Sequence, residues 1–255
     1  MTATLQAPAL VDVLRGILGS DHVSVAPEVL KHFGTDVFRT ADPLPEAVVM
    51  PATAPELARA VAACTRAGFA VVPRGGGLSY TDGYLADRPG TVVVDTRRID
   101  RIREINEEDM YVTVECGVTW QHLYETLKAR GLRTLFYGTG SGVYATVGGT
   151  LSQNAVNYGS ARYGTSADAV LGLEVVLADG SLLKTGSAAT PFNPSPFFRT
   201  YGPDLTGVFL GDCGALGIKT AATLKLIPFP PATRFVSFAF DRIEDLGEAM
   251  GEVGR

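Results

Sequence analysis

The chain has 255 residues, 46% hydrophobic and 19% charged; it is long enough for one or two buried cores, and this excludes a miniprotein that depends on staples. A net charge of −5, with Lys and Arg scattered rather than run together, provides no track for a phosphate backbone and excludes nucleic acid as a partner. Cys64, Cys116 and Cys213, odd in number and widely spaced, read as small apolar residues of a reduced compartment, and His22, His32 and His122 lack zinc-site spacing.

The opening MTATLQAPALVDVLRG has no cationic leader followed by an apolar run, and no segment has bilayer length, so the expected location is the cytoplasm, without a transmembrane segment. Residues 1–44 read as a helical lead-in, with apolar periodicity from Ala9 to Leu18 and from Ala26 to His32. In residues 45–100, AVVMP predicts a strand, Ala54 to Ala67 a helix ended by Gly68, FAVVP a second strand and TVVVDT a third. That spacing is a βαβ unit with parallel strands.

From 101 to 228 the rhythm changes. IREIN and YVTVECG predict strands around the turn EEDM, Trp120 to Ala129 a helix stopped by Gly131, and LGLEVVLADGSLLKTG a hairpin about Asp179-Gly180. GALGIKTAATLKLIP supplies a last strand. The fold class expected is α+β, with two α/β subdomains: a small parallel unit, then a larger, mixed and mainly antiparallel sheet with helices. In residues 229–255, RFVSFAF predicts a strand and Glu244 to Val253 a helix, the start of a further unit that cannot bury an apolar face alone.

Three glycine-rich loops carry the chemistry. PRGGGLS, Pro73 to Ser79, follows a strand; Gly75, Gly76 and Gly77 leave successive N–H groups free to converge on a phosphate oxygen, and Ser79 adds a hydroxyl. No Gly-Lys-Ser/Thr follows, which disfavours triphosphate hydrolysis. The second loop, Gly138 to Gly164, offers the neutral donors Thr139, Ser141, Thr146, Ser152 and Asn154, with Arg162 and Tyr163 after them. Gly140, Gly142 and Ala145 imitate a nicotinamide-binding turn, but the stretch after them is too rich in Gly, Asn and Ser for the long helix such a turn opens. In the third loop, FLGDCGALGIKT, Gly211, Gly214 and Gly217 suit a close approach to a flat ring, and Asp212 could accept from a ribose or ribityl hydroxyl.

The order and spacing of PRGGGLS, TVGGTLSQNAVNYGSARYGTSADAVLGLEVVLADG and GDCGALGIKTAATLKLIP resemble the FAD-binding (PCMH-type) domain of the vanillyl-alcohol oxidase and p-cresol methylhydroxylase superfamily, from Pro45 to Pro228. The branch it resembles most contains D-lactate and glycolate dehydrogenases and alkyl-dihydroxyacetonephosphate synthase. The resemblance implies that Pro73, Arg74, Gly75, Gly76, Gly77, Leu78 and Ser79 wrap the diphosphate of FAD. It further implies that Thr146, Gly148, Gly149 and Asn154 line the ribityl and flavin side, that the backbone at Gly217 and Ile218 meets the adenine half, and that Gly138, Thr139 and Tyr163 also belong to the cofactor site. Relatives that attach flavin covalently have a histidine at the position of Gly77 and a cysteine at that of Tyr144, so noncovalent FAD is expected. The implied activity is oxidation of a small hydroxylated substrate such as a 2-hydroxy acid, completed by a cap domain or companion chain and by an electron acceptor that the sequence does not identify. No histidine lies in the three signatures, so no catalytic base is assigned. Two alternatives stay open: an FAD-binding electron-transfer subunit and a noncatalytic flavin module.

Overall fold

A computed structural model describes residues 6–136, 140–190, 192, 195–200, 202–234 and 236–254. Chain order begins with α1 (Ala7–Leu18), β1 (Val23–Ser24), α2 (Pro27–Phe33), β2 (Ala47–Val49), α3 (Ala54–Arg66), β3 (Ala70–Arg74) and β4 (Thr91–Asp95). These strands form one sheet in the order β1-β2-β4-β3; β2, β4 and β3 are parallel and β1 is antiparallel to β2. The βαβ unit is present with β4 between its two strands. β1 was not anticipated, because two residues give no alternation to read.

The apolar spacing of the helices explains their seating. Leu10, Leu14 and Leu18 of α1 fall on one stripe, as do Leu57, Val61 and Cys64 of α3, and both stripes join Val49, Val92 and Val94 in one core. The lead-in is therefore packed into the first sheet. α3 starts where Thr53 accepts from the Glu56 N–H at 3.3 Å and Glu56 accepts from the Ala52 N–H at 2.7 Å, a reciprocal cap. It stops before Gly68, at φ +85°.

The second half contains β5 (Ile102–Asn106), β6 (Tyr111–Glu115), α4 (Trp120–Lys128), β7 (Leu132–Thr134), α5 (Val147–Ser152), α6 (Ser160–Tyr163), β8 (Val170–Val176), β9 (Leu182–Lys184), α7 (Leu205–Val208), β10 (Ile218–Pro228) and α8 (Ile243–Val253). The antiparallel sheet runs β5-β6-β10-β8-β9, with β7 also paired to β10. β10 is its spine: Ala221 faces Glu115 of β6, Ala222 faces Leu173 of β8 and Leu226 faces Thr134 of β7. Trp120, Leu123 and Leu127 of α4 bury against this sheet, and the Trp120 indole donates to Thr150 Oγ1 at 2.7 Å.

The turn between β8 and β9 ties the halves together. Thr65 of α3 donates to the Ala178 carbonyl at 2.7 Å, and Gly180 lies so close to Ala58 that a Cβ there would meet the Ala58 carbonyl at 2.6 Å. Among the described residues of RFVSFAF there is no strand; Val236 and Phe238 alternate correctly but are exposed and pair with no sheet edge. α8 forms over Ile243–Val253, and none of its residues is buried.

Candidate functional site

The carboxyl end of β3, the segment before and through α5, and the turn before β10 meet around a cleft of about 300 Å³ between the two sheets. Glycines bring them together. A Cβ on Gly75 would lie 2.3 Å from Thr146 Oγ1, and one on Gly76 would lie 2.2 Å from the Tyr144 carbonyl, so the first loop rests directly on the second. A Cβ on Gly214 would lie 2.4 Å from Pro73 Cγ, which seats the third loop on the first. The second and third loops are joined by the Gly211 N–H to the Leu151 carbonyl at 3.0 Å and the Cys213 N–H to the Ser152 carbonyl at 2.9 Å.

The cleft lining includes Pro73, Arg74, Gly75, Gly76, Gly77, Leu78, Ser79, Thr146, Gly148, Gly149, Gly217 and Ile218. Asn154 and Tyr163 are not among the lining residues. Asn154, at φ +45°, accepts from the Ala167 N–H at 3.1 Å, while Tyr163 packs with Leu135 and Phe136 and has the Arg133 and Arg162 guanidinium groups over its ring. Gly138 and Thr139 lie outside the described residues.

The geometry fits an extended, charged ligand. Among the described residues, the main-chain N–H groups from Gly75 to Ser79 donate to no protein acceptor, and these residues line the cleft on a loop whose shape leaves no room for most side chains. Ser79 Oγ lies 2.9 Å from Thr81 Oγ1, which in turn donates to Gln153 Oε1 at 3.3 Å, so hydroxyl and amide groups bridge the first and second loops at the rim. α5 is only six residues long, as the composition after the Gly140-Gly142-Ala145 decoy requires. Its cap is Thr146, which accepts from the Gly149 N–H at 3.2 Å.

Two side chains differ from the expectation. Arg74 lines the cleft, yet its guanidinium is committed inward: Nη1 donates to the His32 carbonyl at 2.9 Å, and the group sits 4.9 Å from the ring centres of both Phe33 and Tyr84. Burial pushes its pKa below the ordinary arginine value. The Asp212 carboxylate is committed within the protein: Oδ1 accepts from Lys219 Nζ at 2.5 Å and from the Gly214 N–H at 3.0 Å, and Oδ2 from the Leu216 N–H at 3.4 Å. Both side chains of the pair are almost fully buried. This ion pair shapes the third loop; the signal available in the sequence was Lys219 at the start of β10, seven residues after Asp212 in the same motif. Tyr84 and Cys213 also line the cleft without having been anticipated there. Tyr84 is hidden in the polar stretch TDGYLAD, where nothing local marks it.

The position that holds a histidine in covalently flavinylated relatives is closed here. A Cβ on Gly77, at φ +67°, would lie 2.5 Å from Arg74 Nε and Nη2, so a side chain would have to displace the buried guanidinium. Tyr144 occupies the other attachment position.

Comparison with known proteins gives the family. The family described as FAD binding domain matches residues 45–186. The glycolate oxidase subunit GlcD of Bacillus subtilis is 30% identical over 212 residues, 82% of this chain and 43% of that protein. The mitochondrial D-lactate dehydrogenase [cytochrome] 1 of Saccharomyces cerevisiae is 30% identical over 244 residues, 92% of this chain and 40% of that protein. Among solved structures, p-cresol methylhydroxylase with substrate bound superposes with a TM-score of 0.75 at 27% identity, covering 88% of this chain and 44% of that one. An alkyldihydroxyacetonephosphate synthase superposes with a TM-score of 0.75 at 20% identity, covering 91% and 42%, a likeness of fold. The chain spans less than half the length of each of these relatives. With the match over residues 45–186 and three glycine loops closing on one cleft, the chain belongs to the FAD binding domain family, in its p-cresol methylhydroxylase-type branch of folds, and FAD is its cofactor.

Proposed function

We propose that FAD lies along the cleft without a covalent bond, its diphosphate against Gly75 to Ser79, and that the protein oxidises a hydroxylated carbon, with 2-hydroxy acids of the glycolate and D-lactate type as the substrate class. The observation that carries the reading is the convergence of the three loops through contacts that only glycine permits at positions 75, 76 and 214. The substrate class rests on the relatives named for glycolate and D-lactate. Bound FAD supplies a two-electron acceptor.

This chain's residues bind and orient. The unpaired N–H groups of the first loop meet negative charge, Thr146 and Asp212 fix the two loops that flank it, and the Lys219–Asp212 pair keeps the third loop's turn in place beneath the cleft. We assign no proton acceptor for the substrate hydroxyl to this chain. We place the wall that grips substrate in a cap domain or companion chain, since a chain that spans under half of its relatives leaves most of their length to supply it. Anaerobic mixing of the complete protein with glycolate, D-lactate and a panel of other hydroxy acids and aromatic alcohols tests the reading. Bleaching of the flavin band by a 2-hydroxy acid supports it; bleaching by aromatic alcohols alone reassigns the substrate class.

A further inference from the structure

We infer that Arg74 and Tyr84 are positioning residues: with Phe33 they form a stack that holds residues 75–79 in the shape that meets FAD, acting through the main chain rather than by touching phosphate. The inference rests on the reading of the cleft as the FAD site and adds to it the device that sets the loop.

Arg74 ends β3, and its carbonyl accepts from the Thr96 N–H at 3.0 Å, which pins the start of the loop to the end of β4. Its guanidinium lies between two aromatic rings, 4.9 Å from the centre of each, with a third partner in the His32 carbonyl at the end of α2. Gly77 rests on that group, since the missing Cβ would meet Nε and Nη2 at 2.5 Å. The Tyr84 hydroxyl closes the arrangement, 2.9 Å from the Gly77 carbonyl and 3.3 Å from the Ser79 carbonyl. The loop is thus held on one side by the stack and on the other by the main chain of Tyr144 and Ala145.

A run of three glycines loses more freedom on ordering than any other tripeptide of the chain, and a ligand that has to order it binds correspondingly less tightly. The stack takes that cost during folding, before the cofactor arrives. It also explains why an arginine buried to 8% exposure sits beside an anion site without pointing its charge there, and it links α2 to cofactor affinity.

The test is FAD titration of the wild-type protein and of Tyr84→Phe, Phe33→Leu and Arg74→Lys, with the thermal midpoint of each apoprotein and the visible spectrum of each flavin complex. Tyr111→Phe is the control, because it removes another buried tyrosine hydroxyl, bonded to Glu104 at 2.8 Å and remote from the cleft. Tyr84→Phe is expected to raise the FAD dissociation constant about two- to fivefold and to lower the apoprotein midpoint by roughly a few degrees, the worth of one net hydrogen bond being shared between the two, with a wild-type flavin spectrum at saturation. Phe33→Leu and Arg74→Lys are expected to weaken binding in the same sense, the lysine because it keeps the charge and loses the flat face that stacks. Folded Tyr84→Phe that binds FAD as tightly as wild type overturns the inference, and so does full affinity in Arg74→Lys, which would show that charge alone is what Arg74 supplies. If Arg74→Lys does not fold, the other two variants decide. A wild-type protein that takes up no FAD overturns the reading of the cleft itself; normal wild-type binding with unaffected variants overturns only the positioning role.

Discussion

At Gly76, a missing methyl group decides how close two loops come. Gly76→Ala would place its Cβ 2.2 Å from the Tyr144 carbonyl, a main-chain atom that cannot rotate aside, so the first and second loops have to part. Overpacking of this kind costs about 1–3 kcal/mol. The expected outcome is a fall in FAD affinity of roughly tenfold, since about 1.4 kcal/mol is one decade, together with a lower melting temperature. Calorimetric titration beside a thermal melt checks both; unchanged affinity in the folded variant contradicts the loop contact. The cysteines give a second residue-level expectation. Burial pushes the thiols of Cys64 and Cys116 up to about 12, whereas Cys213 is half-buried on the cleft wall. Iodoacetamide at pH 8 should therefore modify the native protein at Cys213 alone, and added FAD should slow it. Peptide mass mapping reads the sites, and labelling of Cys116 in folded protein would contradict the packing described.

Glu115 on β6 joins two strands of the second sheet through charge. It is fully buried and takes Arg101 Nη2 at 2.9 Å, the Arg101 N–H at 2.9 Å and Arg103 Nε at 3.1 Å, while Arg103 reaches on to Glu174 of β8 at 3.2 Å. Burial works to raise its pKa, but the two guanidinium groups and the N–H together hold it below the ordinary glutamate value of 4.5. A carboxylate whose folded pKa is lowered stabilises the fold above its unfolded value, and that stability is lost as pH falls through the folded one. Acid melts should thus show stability declining below about pH 4.5 in wild type, with a shallower decline in Glu115→Gln. The variant should be less stable at pH 7 by about 1.5–3 kcal/mol, the worth of hydrogen bonds to a charged group. Parallel pH profiles for the two proteins would contradict the network.

The long elements were legible in the sequence because their periodicity is strong: α3, α4, the β8–β9 hairpin and β10 all stand where alternation and the Gly, Thr and Asp punctuation put them. β1 and β7 were not, since strands of two and three residues are set by their partners β2 and β10 and carry no pattern of their own. RFVSFAF shows the converse: alternation without an edge to pair makes no strand among its described residues. In the cleft, the glycine loops were legible as loops. What each glycine touches was not, and neither were the inward turn of Arg74 onto the His32 carbonyl, the Lys219–Asp212 pair or the place of Tyr84: the first joins distant parts of the chain, and the other two close across irregular turns whose geometry no periodicity sets.

At the scale of the whole molecule, two sheets are joined where Val176 of β8 and Ile218 of β10 enter the first core, at the β8–β9 turn and at the cleft, so a cofactor lying across the cleft binds the folded arrangement and not the unfolded chain. Free FAD at a hundred times its dissociation constant should then stabilise the protein by about 2.7 kcal/mol, a rise in melting temperature of roughly 5–10 °C for a chain of this size. No described helix is long and apolar enough to cross a membrane. This 255-residue chain should bind FAD and accept electrons from dithionite. If the wall that grips substrate lies in a cap domain or companion chain, as proposed, reduction of this chain alone by D-lactate or glycolate should be slower by a factor on the order of 10² or more than in the complete protein, because the substrate is not held in position. Stopped-flow traces decide that point.

The most direct test of the central claim is acid precipitation of the FAD-reconstituted protein, with chromatography of the supernatant and mass measurement of the pellet. The glycine-lined cleft, with Arg74 closing the position beneath Gly77, predicts one flavin released per chain, recovered as FAD, and a polypeptide at its unmodified mass. A flavin-sized mass increment on the denatured chain, recovery of FMN in place of FAD, or failure to retain any flavin after reconstitution would contradict it.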